Sequence, residues 1–241
     1  MPMHVPFVIG HRGAAGLAPE NTLISLRRAR LEGARWVEFD VMLSRDGVPL
    51  LFHDDTLNRT TNGKGLVARH DFTDLRELDA GSWFNATFAG ERIPSFAETI
   101  EVLAEEGLGA NVEIKPTPGL ARETAEAACR MISESWQESM PLVISSFEQD
   151  AMAVARDMLP DRDRAMLFSR LPKNWQNVVG KLECNAVHVS NRSLTEKVVD
   201  AVRAQGLPLR VYTVNDPIRA ETLREWGVSS VFTDRPDLIR D

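Results

Sequence analysis

One pattern recurs along the chain: a helical stretch, then a glycine, then a short apolar strand. The glycines of this pattern are Gly33, Gly107, Gly206 and Gly227. A glycine after a helix supplies the left-handed backbone conformation that ends the helix. The runs that follow, such as Leu-Arg-Val-Tyr-Thr-Val, are typical of buried strands. Helices that alternate with strands predict a parallel sheet with right-handed crossovers.

The same pattern predicts where the elements lie. We expect strands at 6–10, 35–41, 110–115, 142–146, 164–168, 185–190, 208–214 and 229–233, and helices at 21–32, 95–106, 119–137, 147–158, 174–182, 195–205 and 216–226. Ser95-x-x-Glu98 and Ser146-x-x-Gln149 are predicted to be capping boxes, and Asp216 a cap with Pro217 in the first turn. Eight strands, each followed by a helix except the last, favour a closed (β/α)8 TIM barrel over a doubly wound sheet. The chain of 241 residues has the usual length of one barrel, so we expect a single domain over 1–241.

Residues 42–94 interrupt the pattern between the second strand and its helix. They contain an extra strand at 48–52, followed by loops rich in Gly and Asp that carry Trp83, Phe84 and Phe88. A connection of this length is usually functional or disordered. The aromatic residues favour a packed subdomain that lies over one end of the barrel.

Composition narrows the classes of partner. A net charge of −7 argues against non-specific binding of nucleic acid, which needs clustered Lys and Arg. The N-terminus lacks the features of a signal peptide, and no stretch approaches the ~18 apolar residues of a membrane span. Cys129 and Cys184 are far apart and form no CxxC motif, so neither a disulfide nor a thiolate metal site is expected. We therefore expect a cytoplasmic protein that does not bind nucleic acid and has no stable membrane insertion.

Charged residues within the apolar strands point to chemistry at the mouth of the barrel, where barrel enzymes place their catalytic groups. Glu38 and Asp40 are two residues apart, so both face the same side of their strand. Glu113 and Lys115 do the same on the next barrel strand, which should be a neighbour. Three converging carboxylates suit Mg²⁺ or Ca²⁺ better than zinc. The alternative is a buried salt-bridge network of these acids with Lys115 and Arg12.

The turn at Asp46-Gly47 is predicted to bring a histidine to these acids. This dipeptide is a strong signal for a two-residue hairpin turn. With such a turn Asp40 lies opposite His53, in a non-hydrogen-bonded pair whose side chains share a face. Pro49 also falls at a non-hydrogen-bonded position, where its missing N–H does not weaken the ladder.

Two histidines beside a carboxylate cluster suggest proton transfer. His11 ends the first strand, and an imidazole acts as acid or base near neutral pH. His11 and His53 therefore suit cleavage of a phosphodiester, with Arg12 and Lys115 neutralising charge on the phosphate oxygens. His188, on the sixth predicted strand, is interpreted as a hydrogen-bonded core histidine rather than a group that touches the site.

An ordered set of short motifs resembles the glycerophosphodiester phosphodiesterase family over nearly the whole chain. The motifs are His11-Arg12-Gly13, Pro19-Glu20-Asn21-Thr22, Glu38-Phe39-Asp40-Val41, Phe52-His53-Asp54, Glu113-Ile114-Lys115-Pro116, Ser145-Ser146-Phe147, Val211-Tyr212-Thr213-Val214-Asn215 and Thr233-Asp234. Each motif is weak alone, whereas the ordered set is highly specific. Together with Asp79-Ala80-Gly81-Ser82-Trp83, the pattern is similar to the cytosolic bacterial branch.

The resemblance implies metal-dependent hydrolysis of glycerophosphodiesters to sn-glycerol 3-phosphate and an alcohol. It implies three roles at the mouth: acid–base catalysis by His11 and His53, binding of one divalent cation (Mg²⁺ or Ca²⁺) by Glu38, Asp40 and Glu113, and contact with phosphate by Arg12 and Lys115. The insertion at 42–94 would help to hold the glycerol moiety.

Several alternatives stay open at this stage. Either histidine can be the acid, and the nucleophile is either a water at the ion or the substrate's own glycerol hydroxyl, through a cyclic phosphate. The nearest rival function is a phosphodiesterase or lyase for phospholipid head groups on the same barrel. More distant rivals are a non-catalytic phosphate-binding barrel and a structural barrel with ion-paired acids and bases.

Overall fold

The computed structural model describes residues 5–241, so the first four residues of the expected domain lie outside the described part. Its strands are β1 (Val8–Gly10), β2 (Trp36–Leu43), β3 (Pro49–Leu51), β4 (Gly109–Ile114), β5 (Leu142–Ser146), β6 (Asp163–Phe168), β7 (Ala186–Ser190), β8 (Leu209–Tyr212) and β9 (Ser230–Thr233). Its α-helices are α1 (Leu23–Leu31), α2 (Phe72–Leu75), α3 (Phe96–Glu106), α4 (Ala121–Ser135), α5 (Gln149–Met158), α6 (Trp175–Lys181), α7 (Glu196–Arg203) and α8 (Pro217–Glu225). No helix within residues 5–241 is both long and apolar enough to cross a membrane.

Eight of the strands form a closed parallel barrel. The order runs β1-β2-β4-β5-β6-β7-β8-β9, and β1 pairs with both β2 and β9, which closes the ring. β3 is antiparallel to β2 and belongs to the insertion. Strand faces that point outward pack against the helices, while a smaller apolar cluster that includes Ile9, Val143 and Phe232 fills the interior. The predicted (β/α)8 TIM barrel is confirmed.

Helix caps agree with the sequence at two of three positions. Ser95 and Glu98 form the expected reciprocal capping box, and Asp216 caps α8 with a proline in its first turn. The box predicted at Ser146 is wrong. Ser146 is the buried end of β5, where its hydroxyl donates to the Ile114 carbonyl at 2.6 Å, and α5 begins only at Gln149.

The hairpin that joins β2 to β3 has one more residue in its turn than the sequence pattern predicts. The Ser44 amide donates to the Val48 carbonyl at 3.1 Å, and Gly47 adopts a φ of 78°, which marks a three-residue turn with a glycine bulge. The pairs are Val41–Leu51 and Leu43–Pro49, so Asp40 faces Phe52 and the predicted Asp40–His53 pair is wrong. Pro49 nevertheless lies at a non-hydrogen-bonded position, as expected.

The insertion has its own small core, as a packed subdomain requires. Its buried members are Met42, Leu50, Phe52, Leu57, Val67, Phe72, Leu75, Ala80 and Ile93. The three aromatics that suggested the subdomain, Trp83, Phe84 and Phe88, lie outside this core and contact one another edge to face. The loop that carries them is held by the Asp79 carboxylate, which accepts bonds from the amides of Gly81, Ser82 and Gly90. The core of the subdomain is therefore built by aliphatic residues together with Phe52 and Phe72, and not by the three aromatics that suggested it.

Candidate active site

Neighbouring strands bring three carboxylates to one point inside the barrel mouth. β2 and β4 are parallel neighbours, and Asp40 pairs directly with Glu113. One oxygen from each of Glu38, Asp40 and Glu113 lies within 4.8 Å of the others. The three residues are 3%, 2% and 9% exposed. Carboxylates buried this closely need compensating charge, and an all-oxygen donor set suits a hard divalent cation.

Two positively charged side chains lie beside the three carboxylates but do not neutralise all of their negative charge. Arg12 Nε lies 3.3 Å from Asp40, while Lys115 Nζ lies 4.0 Å from Asp40 and 3.8 Å from Glu113. Within residues 5–241 Glu38 has no ion pair with a Lys or Arg side chain. The purely ion-paired alternative is therefore incomplete, because both cations are shared around Asp40.

The carboxyl pKa values reflect this imbalance. Burial, together with the charges of Asp40 and Glu113, raises the pKa of Glu38 well above its ordinary value. Burial and Asp40 also raise the pKa of Glu113 to about 8. Burial alone would raise the pKa of Asp40 too, but Arg12, His53 and Lys115 outweigh it and lower that pKa. A divalent cation at the cluster would supply the missing charge, so these residues fit a metal site.

The turn after β1 explains the motif that follows His11. Arg12 and Gly13 both have positive φ, 49° and 85°, and a Cβ on Gly13 would lie 2.5 Å from Ser25. This turn directs the Arg12 amide to Glu38 Oε2 at 2.9 Å. It also lets the Arg12 guanidinium donate to Glu20 at 2.5 Å. Burial lowers the pKa of Arg12, but the surrounding carboxylates outweigh it and raise that pKa above the ordinary value.

Both predicted histidines are held by a carboxylate at the same ring nitrogen. His11 Nδ1 lies 2.6 Å from Asp234 Oδ1, whose other oxygen accepts a bond from Asn215. His53 Nδ1 lies 2.6 Å from Asp54 Oδ1. In both rings this contact leaves Nε2 to face other groups, and His11 Nε2 lies 3.9 Å from Glu38. Desolvation lowers the pKa of His53, aided by Arg12 and Lys115, although Asp40 and Asp54 oppose the shift.

The residue pattern alone predicted no role for the groups that orient this site. Asp54 and Asp234 belong to the family-like motifs, where they follow His53 and the last strand, respectively. Asn21 belongs to another of these motifs, and its amide donates to Asp40 Oδ2 at 2.9 Å. Arg59 lies outside these motifs, and its guanidinium bridges Asp54 to Glu20. Acidic residues directly after a functional histidine or strand end were the available signal.

A cavity of about 550 Å³ opens over the cluster. Six of the seven predicted site residues line it: His11, Arg12, Asp40, His53, Glu113 and Lys115. Glu38 lies deeper and faces a small cavity beneath. An adjoining cavity of about 540 Å³ shares His53, Glu113 and Lys115 and is walled by Phe147. His53 therefore reaches the site as predicted, although it does so because the chain leaves the ladder after Leu51 and not through strand pairing.

His188 is the core histidine that the sequence favoured. It is fully buried in the barrel, and its Nε2 lies 3.1 Å from Arg210 Nη1. Burial and the Arg210 charge lower the pKa of His188 well below its ordinary value, which keeps the ring neutral. It does not line the large cavity at the mouth.

A TIM barrel whose mouth combines a buried acidic cluster with two oriented imidazoles has the features of a barrel enzyme with its catalytic groups at the carboxyl ends of the strands. Comparison with known proteins specifies which enzyme family this is. The model of the glycerophosphoryl diester phosphodiesterase family matches residues 11–238. The chain therefore belongs to this family and is a phosphodiesterase enzyme.

Relatives from several bacteria match over almost the full length. An Oleispira antarctica phosphodiesterase, solved in complex with the product sn-glycerol-3-phosphate, is 40% identical with a TM-score of 0.95 and covers 98% of this chain and 95% of its own. A glycerophosphodiester phosphodiesterase of Caldanaerobacter subterraneus is 32% identical over 96% of this chain and 95% of its own length. That of Bacillus subtilis is 31% identical over 96% and 84%, respectively.

Proposed function

We propose that this enzyme hydrolyses glycerophosphodiesters to sn-glycerol 3-phosphate and an alcohol, with one divalent cation and with His11 and His53 as general acid and base. The observation that carries the proposal is the pairing of two imidazoles, each oriented through Nδ1 by a carboxylate, in one cavity over the acidic cluster. Binding of phosphate alone requires no such pair.

Each histidine carries out one of the two proton transfers that the reaction requires. A bond forms between phosphorus and the attacking oxygen while the bond to the leaving alcohol oxygen breaks. One Nε2 takes the proton of the attacking group, and the other gives a proton to the leaving oxygen. Asp234 and Asp54 hold a proton on Nδ1 of His11 and His53, respectively, which fixes each ring and its tautomer.

Glu38, Asp40 and Glu113 would hold the cation, and we favour Mg²⁺ or Ca²⁺ because all three donors are carboxylate oxygens. The cation would neutralise negative charge on the phosphate oxygens. Arg12 and Lys115 would add to this from the cavity wall. Lys115 Nζ is 3.8 Å or more from its nearest carboxylates, so no short hydrogen bond ties it to the protein acids.

The bound product of the Oleispira relative supports sn-glycerol 3-phosphate as the product here. We place the glycerol moiety beside the insertion, since Asp54, Asp55 and Thr56 line one side of the mouth. We further infer that residues 1–241 act as one domain and that the protein works in the cytoplasm. Two free, buried cysteines support that location.

An assay of several glycerophosphodiesters, first in EDTA and then with Mg²⁺ or Ca²⁺ restored, tests the proposal. We expect no turnover in EDTA and recovery with added ion. Glycerophosphocholine should release glycerol 3-phosphate and choline. Release of choline phosphate instead would favour the head-group phosphodiesterase or lyase, and full activity in EDTA would refute the metal requirement.

A further inference from the structure

Beside the acidic cluster, one small cavity is lined by three residues that each carry a buried polar atom. Within residues 5–241, Glu38 Oε1, Asn111 Oδ1 and His188 Nδ1 have no hydrogen-bond partner. Their residues are at most 3% exposed, and all three line a cavity of about 20 Å³ inside the barrel. Buried polar atoms in proteins are nearly always hydrogen-bonded, so three of them around one cavity indicate a bound occupant.

Other hydrogen bonds fix what each atom offers to this occupant. Arg210 donates from Nη1 to His188 Nε2 at 3.1 Å, so the single proton of the neutral ring is on Nδ1, which is a donor. Burial lowers the pKa of Arg210 to about 10, which leaves it charged at neutral pH. Asn111 Nδ2 donates to Ser145 Oγ at 2.9 Å, so Asn111 Oδ1 faces the cavity as an acceptor. The carboxylate oxygen of Glu38 is a second acceptor.

One donor and two acceptors match a single water molecule, which accepts one bond and donates two. A cavity needs about 10–15 Å³ to hold a water and typically offers it about three polar partners. We propose that one buried water occupies this cavity, bonded to His188 Nδ1, Asn111 Oδ1 and Glu38 Oε1, and that His188 is thereby a positioning residue for the Glu38 carboxylate.

The consequence for the active site rests on the proposed function, in which Glu38 is a ligand of the cation. Glu38 Oε2 already accepts a bond from the Arg12 amide at 2.9 Å. The water holds the other oxygen from below, so the carboxylate is fixed from two sides before an ion arrives. Groups that orient metal ligands in this way typically contribute about 10- to 100-fold in metal affinity.

Three variants test the role of His188. His188→Leu removes both ring nitrogens at similar size, whereas His188→Gln keeps one acceptor for Arg210 and one N–H for the water. Leu167→Met is the matched control, because Leu167 lines the same cavity without a polar atom. Dissociation constants for Mg²⁺ and Ca²⁺ are measured by calorimetry, beside thermal stability. We expect His188→Leu to weaken ion binding by about 10-fold or more, and the other two to stay close to wild type.

Ion affinity at the wild-type level in His188→Leu, or an equal loss in Leu167→Met, would overturn the positioning role. A high-resolution crystal structure of the EDTA-treated wild type tests the water itself and needs no foldable variant. We expect a water within hydrogen-bond distance of all three atoms; a dry cavity would overturn the proposal. A protein that retains this water but binds no divalent ion would instead refute the metal requirement of the proposed function.

Discussion

In the absence of a divalent cation, the protein should lose stability as pH rises, because the folded state holds buried carboxyl protons. The pKa of Glu113 is raised from its ordinary value of 4.5 to about 8. Between these values the unfolded chain has released the proton, whereas the folded protein still binds it. Stability from this group is therefore full below pH 4.5 and is lost as pH rises through the folded pKa, by about 1.4 kcal/mol per pH unit.

Glu113→Gln removes this dependence, because the amide is nearly isosteric and does not ionise. Over the window from 4.5 to about 8 the ceiling is about 5 kcal/mol, and relaxation of the site together with water entry should reduce the observed difference to a few kcal/mol. In EDTA at alkaline pH, the variant should therefore be more stable than the wild type. It should also gain less from added Mg²⁺ or Ca²⁺, since one ligand has lost its charge.

Urea unfolding in EDTA at about pH 5.5 and about pH 8.5 measures the pH dependence through the unfolding free energy, and the same measurement with Mg²⁺ or Ca²⁺ in place of EDTA measures the gain from the ion. Glu101→Gln on the exposed face of α3 is the matched control for a lost carboxylate. We expect the wild type and the control to lose stability between the two pH values and Glu113→Gln to lose less. Equal pH slopes in the wild type and Glu113→Gln would refute the assignment of the raised pKa to Glu113.

Three further predictions concern residues of the site, and a fourth concerns the domain. His53→Ala should lower kcat by at least ~10²-fold with an unchanged circular dichroism spectrum; wild-type turnover would eliminate the two-histidine mechanism. Asp234→Asn should lower kcat more than it raises KM, because His11 loses its orienting carboxylate; an unchanged kcat would remove that role. Arg12→Lys should raise KM, since a point charge replaces the planar guanidinium that binds phosphate. An unaltered KM would show that Arg12 does not contact the phosphate. Urea unfolding should show a single transition, because the insertion and the barrel are expected to unfold together as one domain; two separate transitions would show that they are separate domains.

The convergence of the three carboxylates was predictable because it depends on two general rules of strand and barrel geometry. Side chains alternate along a strand, so Glu38 and Asp40 had to share a face. Successive parallel strands in a barrel are neighbours, which placed Glu113 beside them. The observed pairing of Asp40 with Glu113 agrees with these two rules, while the register itself is set by the packed sheet. Neither rule depends on the exact start of a helix, so the error at the Ser146 cap did not affect the site.

The hairpin register was not predictable from its own sequence. Asp46 accepts bonds from the Ser44 hydroxyl at 2.5 Å and from the amide of Phe72 at 2.9 Å. The second bond joins the turn to the first residue of α2, which is 26 positions further along the chain. A contact of that range ties the three-residue turn to the insertion, although Asp-Gly locally favours a turn of two residues.

The partner of His11 illustrates a long-range contact that the sequence did contain. Asp234 is 223 positions away from His11, yet Gly10 pairs with Thr233, so the residues that follow them emerge side by side. A closed barrel requires its first and last strands to be neighbours, and closure was predicted from the strand count. Asp234, which follows the last strand, was therefore expected to lie beside His11, which follows the first strand. Asp54, which follows His53 directly, has no such topological rule behind it: the irregular path of the chain after Leu51 sets its position, and this path emerges only when the insertion is packed.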